Sequence, residues 1–386
     1  MSYNILGISI SHNSSICVLS DGKIDFFLEE DRLSRIKKDF TPSEIIRYVS
    51  SKYKINEIAI GGIQHFPNFS IFANENQTIV GSDGILNVND ETFPFKDFWF
   101  RLLRKYFGTN IKITDYRNRH HLLHAYHSFT NSGFLNAVSI VLDGGGTMYQ
   151  KGRKLYFETD SIYHMSKNKY KELSKSYRIA DPDNKEYQKI NLCILYEIIN
   201  QYLGFNSLDS GKTMGLSAYG NENNQIPKLL KNFKSNPDVF KPLTWDVFFN
   251  TSYDHVINDT IVKEKYKPIF KNKNLLKDLA YRIQKDCEIE TKNLIKDIIK
   301  KTNTKNICCS GGFFLNCVNN YKLEKEFPDI NFYFEPISHD AGQSIGAAQL
   351  LWGKKNDKKS KLQDTLYYGP KYSKKELLKK INEHLD

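Results

Sequence analysis

The sequence predicts an α/β protein of two lobes with related topology and a cleft between them. Two observations carry this. A strand, a turn and a hairpin occur near residue 5 and again near residue 138. The strand near residue 138 and a later one run into glycine turns, at Asp143-Gly144-Gly145-Gly146 and at Ser310-Gly311-Gly312. The recurrence is one of pattern, not of sequence identity, and it fits two layered units sharing a core.

Residues 3–10 alternate and are β-branched, which reads as a strand. Residues 17–28 follow as a hairpin turning at Asp21-Gly22. Thr41-Pro-Ser-Glu44 predicts a helix start, with Thr41 as cap, Pro42 at the first helical position and Glu44 closing a capping box. Residues 57–61 read as a short buried strand, 66–94 as a long surface loop and 95–107 as an aromatic-rich helix. Residues 118–127 have helical composition, and 136–143 form a strong buried strand. A second hairpin passes through 154–158. Residues 187–203 and 274–300 read as helices with one apolar face. A strand over 306–310 enters its glycine turn, and 313–327 reads as helix. Residues 353–361 are a charged linker candidate, and the last 25 residues carry one short strand and one short amphipathic helix.

The chain of 386 residues is long enough for two or three domains. With 40% hydrophobic and 26% charged residues it reads as globular and soluble. No apolar run reaches membrane-spanning length, so no membrane partner is expected. The N-terminus enters its first strand without signal-peptide features. None of the six cysteines forms a Cys-x-x-Cys pair, which points to a reduced cytoplasm and away from a cysteine zinc site. The net charge of +11 admits an acidic partner such as nucleic acid, although lysine is abundant throughout.

His120 and His124 are spaced by four, so a helix sets both imidazoles on one face, one turn apart. That suits a metal ion or an anionic group between them; a histidine-rich helix with ordinary hydrogen bonds is the alternative. Asp340, in Ser338-His-Asp-Ala-Gly342, completes a two-histidine, one-carboxylate set, and it equally suits a helix N-cap. The turn over residues 7–15 suits freeing backbone N–H groups for a phosphate and carries His12; an ordinary hairpin is the alternative. Gly144, Gly145 and Gly146 let a ligand approach the backbone, and Asp143 at the strand end suits orienting a metal or a hydroxyl; a floppy turn is the alternative. Ser310, Gly311 and Gly312 offer a nucleotide contact at a helix start, with Asn316 and Asn319 just beyond. This is not a Walker loop, because Gly-Lys-Ser/Thr is absent there. Between these segments, residues 209–220 hold three glycines and Lys212, a loop fit for an anion; a solvated lysine is the alternative.

In their order along the chain these motifs resemble the O-carbamoyltransferases that modify nodulation factors and antibiotics. The similar segments are Leu6-Gly-Ile-Ser with His12 after it, Glu30-Asp-Arg-Leu-Ser-Arg35, His120-His-Leu-Leu-His-Ala125 and Val141-Leu-Asp-Gly144. Met214-Gly-Leu-Ser-Ala-Tyr-Gly220, Ser310-Gly-Gly312 with Leu315-Asn-Cys317, and Asp340-Ala-Gly342 follow. Together they cover residues 3–352. The resemblance implies a two-lobed actin, sugar-kinase and Hsp70-like (RNase H-like) fold. It implies carbamoyl transfer from carbamoyl-adenylate, derived from ATP and carbamoyl phosphate, to a hydroxyl of a sugar, antibiotic or modified nucleotide. By the same carry-over, His120, His124 and Asp340 hold an iron-like divalent metal, and the glycine segments at 143–146 and 310–312, with Asn316, hold the adenylate. His12 takes the acceptor's proton, and Lys212 contacts phosphate or carbamoyl oxygen.

The expected domains are 1–132, a first lobe with the metal helix; 133–352, a second lobe with the glycine turns; and 353–386, a linker and the start of a further domain. His12-Asn13-Ser14 stands where family members often carry His-Asp-Ser. Family enzymes also continue into a domain that makes carbamoyl-adenylate, and Leu366-Tyr-Tyr-Gly-Pro370 resembles its beginning. The chain is then either a piece of such an enzyme or is served by a separate carbamoyl-adenylate-forming protein. A homodimer is a reasonable expectation. Three alternatives share the fold: a tRNA threonylcarbamoyl-transferase relative, an enzyme acting on hydroxymethylated DNA, and a nucleotide-binding scaffold without catalysis. The first normally places Glu-Gly inside the histidine pair, where this chain has His-Leu-Leu.

Overall fold

The structure is a computed structural model that describes residues 2–62, 78–81, 84–87, 95–151, 154–167, 169–180, 190–206, 208–241 and 261–384. Two sheets organise it. The first contains β1 (Asn4–Ile10), β2 (Ser15–Ser20), β3 (Lys23–Glu29), β4 (Glu57–Gly62) and β5 (Lys112–Asp115), in the order β3-β2-β1-β4-β5. The second contains β6 (Asn136–Leu142), β7 (Lys154–Ser166), β8 (Lys169–Ala180), β9 (Asn306–Ser310) and β10 (Asn331–Phe334), in the order β8-β7-β6-β9-β10. In each sheet the first strand pairs antiparallel with a hairpin strand on one side and parallel on the other with a strand that pairs parallel with a third, and Met148–Lys151 adds a sixth strand, antiparallel to β7, to the second sheet. This strand-for-strand equivalence is the two-lobed, RNase H-like arrangement that the sequence predicts. Asp21 and Gly22 turn the first hairpin with φ of 46° and 79°, the left-handed pair that a two-residue loop needs to follow strand twist.

Five helices position the site: α1 (Ser43–Lys52), α2 (His120–Asn131), α3 (Leu192–Tyr202), α4 (Leu276–Thr302) and α5 (Gly342–Asn356). On β6, Val138, Ile140 and Leu142 face the core shared with α3 and α4, while Ala137 and Val141 share a core with α2 and α5. A strand covered on both faces reads as a continuous apolar run, which is why 136–142 is so apolar. Every residue of α2 is buried, since it packs on β6, β7 and β9 and also on α5. Helix α5 in turn lies on β1, β2 and β4. These two helices therefore tie the sheets together.

Close approach makes that joint. A Cβ on Gly7 of β1 would fall 1.9 Å from the Ser344 carbonyl oxygen, and one on Gly346 would fall 2.4 Å from that of Leu123. Only glycine lets α5 touch the backbone of β1 and of α2.

Several local expectations change. Helix α1 starts at Ser43 with Pro42 as its N-cap, and no Thr41 capping box forms. Thr41 instead bonds back to Asp39 through its N–H (3.2 Å) and hydroxyl (3.4 Å). The free N–H groups of Glu44 and Ile45 are taken by the Glu30 carboxylate, at 2.7 and 3.0 Å. Burial pushes that carboxyl up to about 7, against the lowering effect of the two N–H donors. Of the expected loop over 66–94, residues 78–81 and 84–87 pair as antiparallel strands, and the others lie outside the described residues. The helix predicted over 187–203 is seen as α3, its first three positions lying outside the described residues. After β9 comes a 3₁₀ turn, Gly312–Leu315, and then a helix over Cys317–Glu326. Helix α5 continues through the first part of the expected linker to Asn356. Residues 362–372 form no strand; the final helix, Lys374–Asn382, is capped by a Ser373–Glu376 capping box. No helix among the described residues is long and apolar enough to cross a membrane.

Gly7→Ala is expected to cost about 3 kcal/mol, because backbone must move to admit the methyl group. Gly211→Ala, with nothing within 4 Å of the added carbon, should stay within about 0.5 kcal/mol of the parent. Urea denaturation of both variants checks the pair.

Candidate functional site

Helix α2 begins at His120, whose N–H is taken by the Thr147 hydroxyl at 3.0 Å. The spacing of four then aims His120 and His124 at the same point. Asp143, at the end of β6, and Asp340, just before α5, arrive there from other directions. One ligand atom from each of the four lies within 4.8 Å of all the others. His124 Nε2 is 3.4 Å from both Asp143 Oδ2 and Asp340 Oδ1. His120 Nε2 is 3.3 Å from Asp340 Oδ1 and 3.8 Å from Asp143 Oδ2.

The turn bearing Asp340 is fixed from the first lobe. Ser9 donates to the Asp340 carbonyl (2.9 Å) and Ser15 to that of Ala341 (2.7 Å). The Asp340 side chain does not cap α5, whose N-cap position is Ala341; it turns to the imidazoles instead. Gly144 donates its N–H to Asp143 Oδ1 (2.7 Å), while the buried Oδ2 has no hydrogen bond and faces the imidazoles. Gln343 closes the group from beneath. Its Oε1 accepts the Gly62 N–H at 3.0 Å, and its amide nitrogen stands 2.8 Å from His120 Nε2 and 3.2 Å from His124 Nε2.

Charge follows from this geometry. Burial disfavours protonated His120, but Asp340 and Asp143 outweigh it and hold its pKa well above the ordinary value. His124 is raised in the same way, against burial, by Asp143 and Asp340. Burial also opposes ionised Asp143 and Asp340, yet the imidazoles hold both carboxyls well below the usual range. The neighbouring histidines are spent elsewhere. His121 bonds Ser161 at 2.8 Å, and burial lowers it to about 4. His127 lies 3.6 Å from Glu335 and is lowered by burial.

Two imidazoles and two carboxylates, convergent and all buried except the half-buried Asp143, form a donor set suited to a first-row divalent ion. The unbonded, buried Asp143 Oδ2 fits that use, since a buried carboxylate oxygen needs a positive or donating partner. His12 stands at the rim, with Nε2 3.5 Å from Asp340 Oδ2 and Nδ1 2.7 Å from Asn13 Oδ1.

A family model described as "Carbamoyltransferase N-terminus" matches residues 73–349. The chain belongs to this family. Among curated relatives, Nodulation protein NolNO of Sinorhizobium fredii is 24% identical over 93% of this chain and 49% of its own length. Nodulation protein NolO of Bradyrhizobium diazoefficiens is 25% identical over 60% of this chain and 38% of its own. The chain thus spans about half the length of the curated relatives it matches. The crystal structure of T. kodakarensis HypF is 12% identical, covers 92% of this chain and 48% of that one, and superposes with a TM-score of 0.48.

Within this carbamoyltransferase-family chain, the two glycine turns meet beside Asp143: a Cβ on Gly312 would lie 3.5 Å from Asp143 Oδ1. Among the described residues nothing lies within 4 Å of a Cβ on Gly145, whereas one on Gly146 would meet His121 and Glu158. Gly311 has φ of 94° and is pinned by Ser338, whose carbonyl takes its N–H (3.0 Å) and whose hydroxyl donates to its carbonyl (2.8 Å). The Ser310 side chain is buried in the same turn. Asn316 caps the helix over 317–326 and bonds Gln284; Asn319 accepts the Thr291 hydroxyl. Lys212 pairs with Asp209 rather than with the imidazole cluster. Of the uses the sequence offers Asp143, orienting a metal or a hydroxyl or lining the nucleotide with its glycines, the structure sets it among the candidate metal ligands. Its position at the end of a buried strand was the available signal. Gln343 was missed; its place three residues after Asp340 was the only hint.

Protein purified with Fe²⁺ or Mn²⁺ is expected to retain one ion per chain by elemental analysis. Asp143→Ala and His124→Ala should each lower the affinity by about a hundredfold or more, since even supporting residues of metal sites are worth 10–100-fold.

Proposed function

We propose that this chain transfers a carbamoyl group from carbamoyl-adenylate to a hydroxyl-bearing acceptor. The observation that carries this reading is the buried His120–His124–Asp143–Asp340 cluster, with His12 at its edge and two glycine turns beside it, in a chain of the carbamoyltransferase family. A bound divalent metal, an iron-like ion by family resemblance, would be held by those four side chains and supply Lewis acidity toward phosphate or carbonyl oxygens.

The protein's own groups supply the rest. Asn13 Nδ2 donates to Glu29 at 3.3 Å, which fixes the amide so that Oδ1 accepts the His12 Nδ1–H. His12 Nε2 is then the lone pair available to a substrate proton. As the acceptor oxygen bonds to the carbamoyl carbon, its proton passes to His12 Nε2. The carbon–oxygen bond to phosphate breaks, and AMP leaves with the electron pair. Asp340 Oδ2, 3.5 Å away, steadies the imidazolium so formed. Asn13, where relatives often carry aspartate, orients this ring without charging it. The N–H groups of Gly144, Gly146 and Gly311 are already taken within the protein, so those of Gly145 and Gly312 are the ones that would meet the donor's anionic part. The net charge of +11 makes modified DNA or tRNA an acceptor to test beside sugars and antibiotics. A further segment or a separate protein would make the carbamoyl-adenylate.

The test supplies carbamoyl-adenylate with candidate sugar, antibiotic and modified-DNA hydroxyls and seeks carbamoylated product by mass spectrometry. His120→Ala and Asp340→Ala should abolish product, and His12→Ala should slow it by about a hundredfold or more. Product unchanged in the first two variants would remove the reading.

A further inference from the structure

A cavity of about 220 Å³ lies between the β7–β8 hairpin, a short hairpin over 230–235 and α4, and none of the four cluster residues lines it. Asp160 of β7 does. Its Oδ2 takes the Thr159 hydroxyl at 3.3 Å, while its buried Oδ1 takes no hydrogen bond. A carboxylate oxygen left in that state costs free energy until a donor reaches it. Burial raises this carboxyl above its ordinary value, even with the Ser176 and Thr159 hydroxyls beside it. Lys234 lines the same cavity and pulls the carboxyl down from beyond ion-pair distance; it has no ion pair among the described residues. Arg178 borders the cavity as well, with its guanidinium over the Phe157 ring at 5.0 Å.

One wall is a strained turn. Asn232 and Phe233 carry the 230–235 hairpin around with φ of 53° and 64°, a left-handed pair that contains no glycine. An aromatic residue at positive φ is rare and persists only where its surroundings hold it. Glu290 holds it here by accepting the Phe233 N–H at 2.7 Å. The turn brings Phe233 to the cavity beside Leu294 of α4, so apolar surface joins the polar groups of the lining. Ser176, Asn232 and Lys234 are exposed and form the mouth. On the inner side, the Thr159 carbonyl accepts the Asp143 N–H at 3.3 Å, and Asn191 donates to the Asp143 carbonyl at 3.3 Å. The cavity therefore backs onto the strand end that carries Asp143.

Size and charge select the ligand. The volume is below the ~300–1,000 Å³ of sites for drug-sized molecules, so the occupant is small. An anion would meet Asp160, and a cation would meet Lys234 and Arg178. A neutral molecule with several hydroxyls suits both signs, because a hydroxyl donates to a carboxylate and accepts from an ammonium. Its C–H face suits Phe233 and Leu294. The geometry points to a binding site here for one small polyhydroxyl molecule of monosaccharide size, with Asp160 accepting its hydroxyls and Asn232 and Lys234 meeting it at the mouth. The site goes beyond the transfer reaction proposed above and does not depend on it.

Saturation-transfer NMR and calorimetry of the full chain with D-glucose and with myo-inositol test this, with glycine and inorganic phosphate as zwitterionic and anionic comparisons. The parent should bind at least one of the two polyols and neither comparison. Asp160→Asn removes the charged acceptor and should weaken polyol binding about tenfold or more, the scale of a hydrogen bond to a charged group. Ser176→Trp, at an exposed position of the mouth, should abolish it. A melting curve checks that each variant is folded, and Ser176→Trp decides alone if Asp160→Asn is not. No binding of either polyol by the parent, or binding that the folded variants leave unchanged, overturns the site. Glycine or phosphate bound as tightly as the polyols overturns the class of ligand.

Discussion

Two aspartates and two histidines, buried together with their charges facing, are the constraint around which this molecule is arranged. Isolated carboxylates in such a place are costly; each here exists because an imidazole faces it. The four residues come from α2, the end of β6 and the turn before α5. Bringing them together requires that α2 and α5 cross between the sheets at contact distance. The glycines at 7 and 346 make that crossing feasible. The packing of the centre of the molecule and the chemistry of its cleft are thus one problem.

The surroundings follow the same logic. Gln343 reaches from α5 to the Gly62 N–H at the end of β4, and the Gly62 carbonyl itself lies 3.3 Å from His120 Nδ1, so β4 meets the imidazoles both directly and through an amide. His12 is added from the turn after β1, held by Asn13 and Glu29. Each lobe therefore contributes to one site, and neither sheet alone contains it. Charge outside the cluster is handled differently. The exposed Lys37 and Lys212 and the half-buried Lys38 all meet the Asp209 carboxylate.

Much of this was legible in the residues. The period of two in β1, the apolar run of β6 and the left-handed pair at Asp21-Gly22 are local signals, and the structure forms each element as read. The histidine pair was legible because helical spacing converts sequence distance into a face. Long-range partners were not legible. Thr41, Pro42 and Glu44 carry a good local capping pattern, but a buried carboxylate from Glu30, remote in sequence, took the helix end. Asp340 fits a helix cap and a ligand equally well by type, and only the approach of α2 decides between them. Asp143 suits a metal, a hydroxyl or the nucleotide beside its glycines by type alone, and nothing local says that its side chain turns toward α2.

Anomalous diffraction from crystals loaded with Mn²⁺ addresses the central claim most directly. A single strong peak bonded to the nitrogens of His120 and His124 and to carboxylate oxygens of Asp143 and Asp340 is the predicted result. A cation seated elsewhere, with these four side chains left to one another, would contradict the account.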